Sequence, residues 1–294
     1  MKVLILGGSG MLGHKLGQTF TSRFDTYLTF RRAPGPDVSA GLFDEERCLT
    51  GIVAEDFDTI VHALETVRPD VVVNCIGVVK QDAAAKDPLT SITVNSLFPH
   101  RLAKSCAELS ARLIHLSTDC VFSGLKGKYA ETDNPDATDL YGRSKLLGEV
   151  AGRGCLTIRT SMIGRELLGA HGLLEWFLAQ GDARVRGFKR AIFSGFTTLA
   201  LAKVVATIIT DHRELGGVWH VASEPITKFD LLTLVKQTYG LAVEIEPDES
   251  FVCDRSLNGT RFRETTGIHS PGWPEMIEEM FRDPTPYDRF RSSL

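Results

Sequence analysis

Cysteine is sparse and unpaired in this 294-residue sequence. Cys48, Cys75, Cys106, Cys120, Cys155 and Cys253 stand far apart, and no C-x-x-C occurs. That spacing argues against a disulfide framework or a thiolate metal site, and fits reduced core residues in a cytoplasmic protein. The eight histidines show no metal spacing, so no metal is expected; His115, inside an apolar run, reads as a satisfied core residue. No apolar stretch reaches the roughly 18 residues of a membrane span. No signal peptide is expected, because Met1-Lys2 runs directly into Val3-Leu4-Ile5-Leu6. A strong charge of one sign is also lacking: 33 basic against 37 acidic side chains leave −4, with no global pull towards nucleic acid or an anionic membrane.

What is present is the composition of an ordinary globular protein, 43% hydrophobic and 24% charged. Short apolar runs at Val3–Leu6, Tyr27–Phe30, Val71–Ile76, Arg112–Ser117 and Cys155–Arg159 read as buried strands. Between them lie helical patterns: Met11 to about Ser22, Phe57–Val67, a long helix from Pro88 to about Leu109 with the stripe Leu89, Ile92, Leu97 and Leu102, and Lys145–Val150. Arg31–Gly51 reads as loop. This alternation predicts an α/β fold, a doubly wound parallel sheet with helices on both faces. After Thr160 it loosens. A short helix at Leu173–Ala179, strands at Ile192–Phe196, Val218–Val221 and Ala242–Ile245, and helices at Thr198–Asp211, Lys228–Tyr239 and from Thr260 and Trp273 point to a smaller α/β C-terminal substrate lobe. The expected division is a dinucleotide-binding domain over 1–160 and about 196–222, with a substrate lobe over about 161–195 and 223–294. The polar end, Pro284–Leu294, reads as mobile.

Gly7-Gly8-Ser9-Gly10-Met11-Leu12-Gly13 follows the first strand and opens the first helix. In that Rossmann-type position Gly7 permits a tight turn, Gly10 lets backbone N–H groups approach phosphate, and Gly13 lets helix and strand pack closely. Ser9, Met11 and Leu12 are then expected beside the pyrophosphate at the helix N-terminus. An NAD site would carry an acidic residue at the end of the second strand. Here Thr29-Phe30-Arg31-Arg32 offers two guanidinium groups and no carboxylate, which predicts a preference for NADP(H) over NAD(H). Cys75, Ile76 and Gly77, at the end of another strand, are expected to wall the cofactor.

Tyr141 and Lys145 are four residues apart, hence on one face of a helix. A phenol titrates near ~10, and a neighbouring ammonium makes it a better proton donor at neutral pH. Thr118, after the strand Arg112–Ser117, can hydrogen-bond the same substrate oxygen. Asn95 is expected to anchor Lys145 through water or to kink its own helix. Asp119 reads as a loop-fixing residue. The order glycine turn, Asn, Ser-Thr, Tyr and Lys points to hydride transfer to or from a carbonyl.

On these motifs the chain resembles the extended short-chain dehydrogenase/reductase family, and more closely the dTDP-4-dehydrorhamnose reductases. The resemblance rests on Gly7–Gly13, His115–Gly124, Lys128–Asp133, Tyr141–Glu149, Arg159–Ser161, Asp254–Asn258 and the run Phe262 to Trp273. It implies an NADPH-dependent nucleotide-sugar 4-ketoreductase with Thr118, Tyr141 and Lys145 as catalytic trio, a nucleotide-diphosphate sugar as substrate, and a homodimer as the common assembly. It also implies a sugar pocket lined by Val78, Thr118, Cys120 and Met162. Cys120 stands where such reductases have Tyr, and Met162-Ile163 where they have an aromatic pair, so the sugar's identity stays open. Phe188-Lys189-Arg190 replaces the family's Asp-Gln. Lys189, Arg190, Arg255 and Arg261 are candidate anion contacts, Arg255 first. Two alternatives stay open: an epimerase of the same fold, and a non-catalytic regulatory subunit like the relative that serves methionine adenosyltransferase. A 4,6-dehydratase is disfavoured because Cys120, and not Glu, follows Asp119.

Overall fold

The computed structural model describes residues 1–32, 41–80 and 83–291. In chain order its strands are β1 (Lys2–Leu6), β2 (Asp25–Thr29), β3 (Cys48–Leu49), β4 (Val71–Asn74), β5 (Arg112–Leu116), β6 (Cys155–Arg159), β7 (Met162–Ile163), β8 (Arg184–Phe193), β9 (Phe196–Thr197), β10 (Gly217–His220), β11 (Ile226–Thr227) and β12 (Glu244–Asp254). Seven of them form one sheet in the order β10-β6-β5-β4-β1-β2-β3, every pair parallel. The order reverses between β1 and β4, which defines a doubly wound Rossmann-like sheet with its ligand crevice at that switch point. β1 and β4 are almost wholly apolar because helices cover both faces. One apolar cluster runs from Val3 and Ile5 through Phe20 to Leu201, Val205 and Trp273; a second joins Leu4 and Leu6 to Ile60, Leu64, Phe98 and Leu102, and a small third gathers Val121, Phe122, Tyr129, Ala222 and Leu257. Among the described residues no helix is long and apolar enough to cross a membrane.

The helices Phe57–Val67, Thr198–Asp211 and Lys228–Tyr239 match the sequence pattern. The first helix is shorter than expected, Gly13–Phe20, and Leu140–Leu147 starts ahead of its expected position. Residues 31–51 are not all loop: β3 adds an edge strand there, while residues 33–40 lie outside the described residues. The long helix is interrupted. Pro88–Ser91 leads into a π-helical turn, Ile92–Leu97, before the α-helix resumes at Phe98–Glu108. The wider turn shifts the helical phase, so Leu89, Ile92 and Leu97 face outwards and Val94, Phe98 and Leu102 face the core. A π-turn inside a helix commonly marks a functional position, and Asn95 sits in this one.

The remaining chain builds a small sheet, β11-β8-β12, in which β8 and β12 run longer than their apolar segments suggest. Their exposed faces carry Arg184 and Arg186, which ion-pair across to Glu244, Glu246 and Asp248, while Val185 and Gly187 between them are buried. The end of the chain is not uniformly loose. Tyr287 and Phe290 are buried, and Asp283 pairs with Lys15 of the first helix. Residues 292–294 lie outside the described residues.

Candidate active site

The carboxyl ends of β1, β4 and β5 are level, because Leu6 pairs with Asn74 and Asn74 with His115. Each end carries one wall of a groove. At β1 the chain turns at Gly7, φ +86°, and its N–H donates to the Thr29 hydroxyl at 3.1 Å. A Cβ on Gly13 would overlap the Gly7 carbonyl oxygen and lie 2.9 Å from its carbon, so only glycine lets this helix start so close to the strand. At β4, Asn74 Oδ1 accepts from Ile76 N–H at 3.0 Å and its Nδ2 meets His115 Nδ1 at 3.1 Å. His115 is therefore half satisfied: its buried Nε2 has no partner among the described residues, a correction to the expected core histidine.

A cavity of about 330 Å³ is lined by Ser9, Gly10, Met11, Leu12, Gly13, Cys75, Ile76, Gly77, Val78, Tyr141, Lys145 and Met162. An adjoining hollow of about 170 Å³ shares Ser9, Gly10 and Cys75–Gly77 and adds Gly7, Thr29 and Arg31. Together they make one trough from the end of β2 to the tyrosine. A larger cavity of about 620 Å³ surrounds Met1, Asp70 and Arg112 at the opposite, amino end of the strands; we assign the site to the smaller trough because ligands of such sheets bind at the carboxyl ends. Arg31 is exposed and ion-pairs with Glu55 at 3.4 Å. Arg32 is exposed and lines neither hollow.

Lys145 is buried, and its Nζ donates to Leu116 O at 2.7 Å. Burial lowers its pKa to about 8, against the pull of Glu149, which favours the charged form. Tyr141 lines the same cavity as Lys145. Burial raises its phenol above the ordinary value, and a hydrogen bond with Thr118 opposes this. Thr118 accepts from Cys120 N–H at 3.1 Å and donates to Asp119 Oδ1 at 3.2 Å. Asp119 is buried, which raises its carboxyl, with Arg255 opposing first. Cys120 is half-buried and its thiol is pushed up to about 12 by burial. Asn95 makes no direct hydrogen bond to Lys145 among the described residues, and it sits in the π-turn that interrupts its own helix, as one of the two expectations had it. It grips Val78 through both N–H and carbonyl, at 2.9 and 3.0 Å, and reaches Ser144 at 3.2 Å, so it fixes the loop after β4 to the tyrosine helix. Arg255 is half-buried with Nε on Phe122 O at 2.8 Å.

Sequence reasoning missed several groups. Glu149 accepts from Ser117 Oγ at 2.7 Å and from Arg159 through both oxygens, at 2.8 and 2.7 Å. It thereby holds the end of β5 between Leu116, which anchors Lys145, and Thr118; it lies in the noted run Tyr141–Glu149, but spacing alone gave it no role. Glu166, Leu168 and His171 line the cavity from the loop after β7, where no periodicity marks them.

A glycine turn at the switch point and a Tyr-Lys pair at the far end of the same trough define an oxidoreductase of the short-chain dehydrogenase/reductase type, with a nicotinamide dinucleotide as cofactor. The chain belongs to the family described as RmlD substrate binding domain, whose model matches residues 1–285. A probable low-salt glycan biosynthesis reductase of Haloferax volcanii is 29% identical over 238 residues, 76% of this chain and 75% of the relative. A dTDP-4-dehydrorhamnose reductase of Mycolicibacterium smegmatis is 31% identical over 237 residues, 78% and 66%. The mouse methionine adenosyltransferase 2 subunit beta is 32% identical over 152 residues, 51% of this chain and only 42% of that subunit. Among solved structures, the dTDP-4-dehydrorhamnose reductase of Bacillus anthracis in complex with NADP superposes with TM-score 0.78 at 21% identity, covering 97% of this chain and 99% of that one.

Proposed function

We propose that the protein reduces the keto group of a nucleotide-linked deoxysugar, at C4, with NADPH. The supporting observation is that the glycine turn, Tyr141 and Lys145 line one cavity, with Thr118 beside the phenol. The residues fit the cofactor: the missing Cβ at Gly13 keeps the turn compact, and Arg31 opens on the adjoining hollow, where a guanidinium suits a 2′-phosphate. A bound reduced nicotinamide supplies the hydride. Tyr141, kept neutral by burial, donates its proton to the oxygen as the carbonyl carbon gains hydride, and solvent then reprotonates the phenolate. Thr118 turns its hydroxyl from Asp119 to the same oxygen. Lys145 has three N–H donors and spends one on Leu116 O; the other two are available to the cofactor ribose and the phenolate. Val78, Cys120 and Met162 shape the sugar site, and Asn95 holds its floor.

Mixing the protein with NADPH and a panel of 4-keto nucleotide sugars is expected to consume NADPH stoichiometrically with one of them. Interconversion of sugar epimers with no net NADPH loss would instead establish the epimerase reading. Cofactor choice has its own test. The double variant Arg31→Ala/Arg32→Ala is expected to weaken NADPH about tenfold or more while NADH changes about twofold at most. Equal losses for both would remove the arginines from that role.

A further inference from the structure

Residues 283–290 are built against the helix that follows the glycine turn. Asp283 ion-pairs with Lys15, and Thr285 Oγ1 accepts from Lys15 Nζ at 2.9 Å and from Gln18 Nε2 at 3.1 Å. Lys15, Thr285, Tyr287 and Phe290 are all buried, so this segment is packed onto the helix Gly13–Phe20 and not laid loosely over it.

Tyr287 is the centre of the contact. Its hydroxyl stands 3.0 Å from His14 Nε2 and 3.0 Å from Asp283 Oδ2. The other ring nitrogen of His14 donates to the Gly10 carbonyl oxygen at 2.9 Å, and the same oxygen takes the His14 backbone N–H at 3.2 Å. Burial lowers the pKa of His14 to about 4, so the ring is neutral at pH 7 and carries one hydrogen. Gly10 O, an acceptor, assigns that hydrogen to Nδ1 and leaves Nε2 to accept from the hydroxyl. A trans peptide is planar, with its C=O and N–H antiparallel. Holding the Gly10 oxygen towards His14 therefore fixes the Met11 N–H the opposite way, out of the amino end of the helix, where Ser9, Gly10 and Met11 line the trough.

The ring of Tyr287 reaches the second wall. The Arg165 guanidinium lies 4.7 Å from its centroid and donates to Glu175 at 2.8 Å and to Asp288 at 3.2 Å. The same Glu175 oxygen takes the Glu166 N–H at 2.9 Å. Glu166 in turn accepts from the N–H groups of His171 and Gly172, at 3.1 and 2.6 Å. This is the loop whose Glu166, Leu168 and His171 line the cavity. One side chain near the end of the chain thus meets the glycine turn through His14 and the facing loop through Arg165.

We propose that Tyr287 is a positioning residue for the dinucleotide, which rests on the reading that the pyrophosphate lies on the glycine turn. Through His14 it sets the Gly10–Met11 peptide, and through Arg165 it holds the loop 164–172 beside the same trough. It touches neither cofactor nor substrate itself.

The test measures NADPH and NADH binding separately, by nicotinamide fluorescence with no sugar present. Tyr287→Phe should raise both dissociation constants about fivefold, because both dinucleotides share the pyrophosphate that meets the turn. His14→Leu should weaken both as well. The double variant should cost little more than the worse single one, because the two residues act through each other. Phe290→Leu is the control for packing alone. It should lower the melting temperature at least as much as Tyr287→Phe does, yet leave both dissociation constants within about twofold of wild type. Unchanged affinity in Tyr287→Phe, a loss confined to NADPH, additive losses in the double variant, or an equal loss in Phe290→Leu would each overturn the positioning role while wild-type binding stands. A wild-type protein that binds neither dinucleotide would instead overturn the assignment of the glycine turn, and the role of Tyr287 with it.

Discussion

Tyr141→Phe is expected to lower kcat for ketosugar reduction by about 10² to 10⁴, with NADPH affinity within about twofold of wild type. The substitution removes one oxygen and leaves the ring and the helix in place. What it removes is the phenolic proton that the proposed mechanism delivers to the substrate oxygen. Burial raises the phenol above its ordinary value, so it remains protonated throughout the neutral range. Cys120 is half-buried one residue past Asp119 and is not part of the lining of the trough. Lys145 is anchored on Leu116 O, which fixes its ammonium on the strand side of the trough. Thr118 can donate a hydrogen bond but cannot give up a proton at neutral pH. The predicted loss corresponds to about 3 to 5 kcal/mol of transition-state stabilisation. Stopped-flow single turnovers with NADPH fluorescence would measure it directly, and near-normal reduction by the variant would end the proposal that this tyrosine is the acid.

The parallel sheet, and the strand ends that carry the candidate site, could be read from the chain because they follow from local rules. A charge-free run ending in Gly7 must be a buried strand with a turn, and a four-residue spacing must place Tyr141 above Lys145 on a helix. Less could be read where a property depends on distant partners. The depressed ammonium of Lys145 and the raised phenol of Tyr141 come from enclosure by β5 and the loop after β4, which a spacing of four cannot encode. The π-turn at Ile92–Leu97 defeated the helical stripe, because one wider turn reverses which of Leu89, Ile92 and Val94 faces inwards. Glu149 went unassigned for the same reason. It gains its role from partners on other elements, Arg159 and Ser117. Arg31 shows the converse. Its sequence position favoured a phosphate contact, and the fold gives it a carboxylate neighbour, Glu55, that a bound phosphate would have to displace.

Gly13→Ala is expected to cost more than any other single methyl in the trough. The added carbon would overlap the Gly7 carbonyl oxygen and stand 2.9 Å from the Gly7 carbon and 3.2 Å from Gly8 Cα, all backbone atoms of the turn itself. No side chain can swing away to relieve that clash, so the helix Gly13–Phe20 must move off β1 or the turn must open. Overpacking of this kind typically costs about 1 to 3 kcal/mol, and a displacement near 1 Å of a ligand-positioning element can cost about 10²-fold. A fall of several degrees in melting temperature should therefore accompany a loss of NADPH affinity on the order of a hundredfold. Gly10→Ala separates the two effects. Its Cβ would meet only the Gly7 carbonyl oxygen, at 3.3 Å, so the fold should tolerate it, while the methyl projects where phosphate must approach the backbone. Melting temperature should then be preserved in Gly10→Ala and lowered in Gly13→Ala, with cofactor affinity reduced in both. If Gly13→Ala binds NADPH like the wild type, the compact turn is not what holds the pyrophosphate, and the trough has been assigned to the wrong ligand.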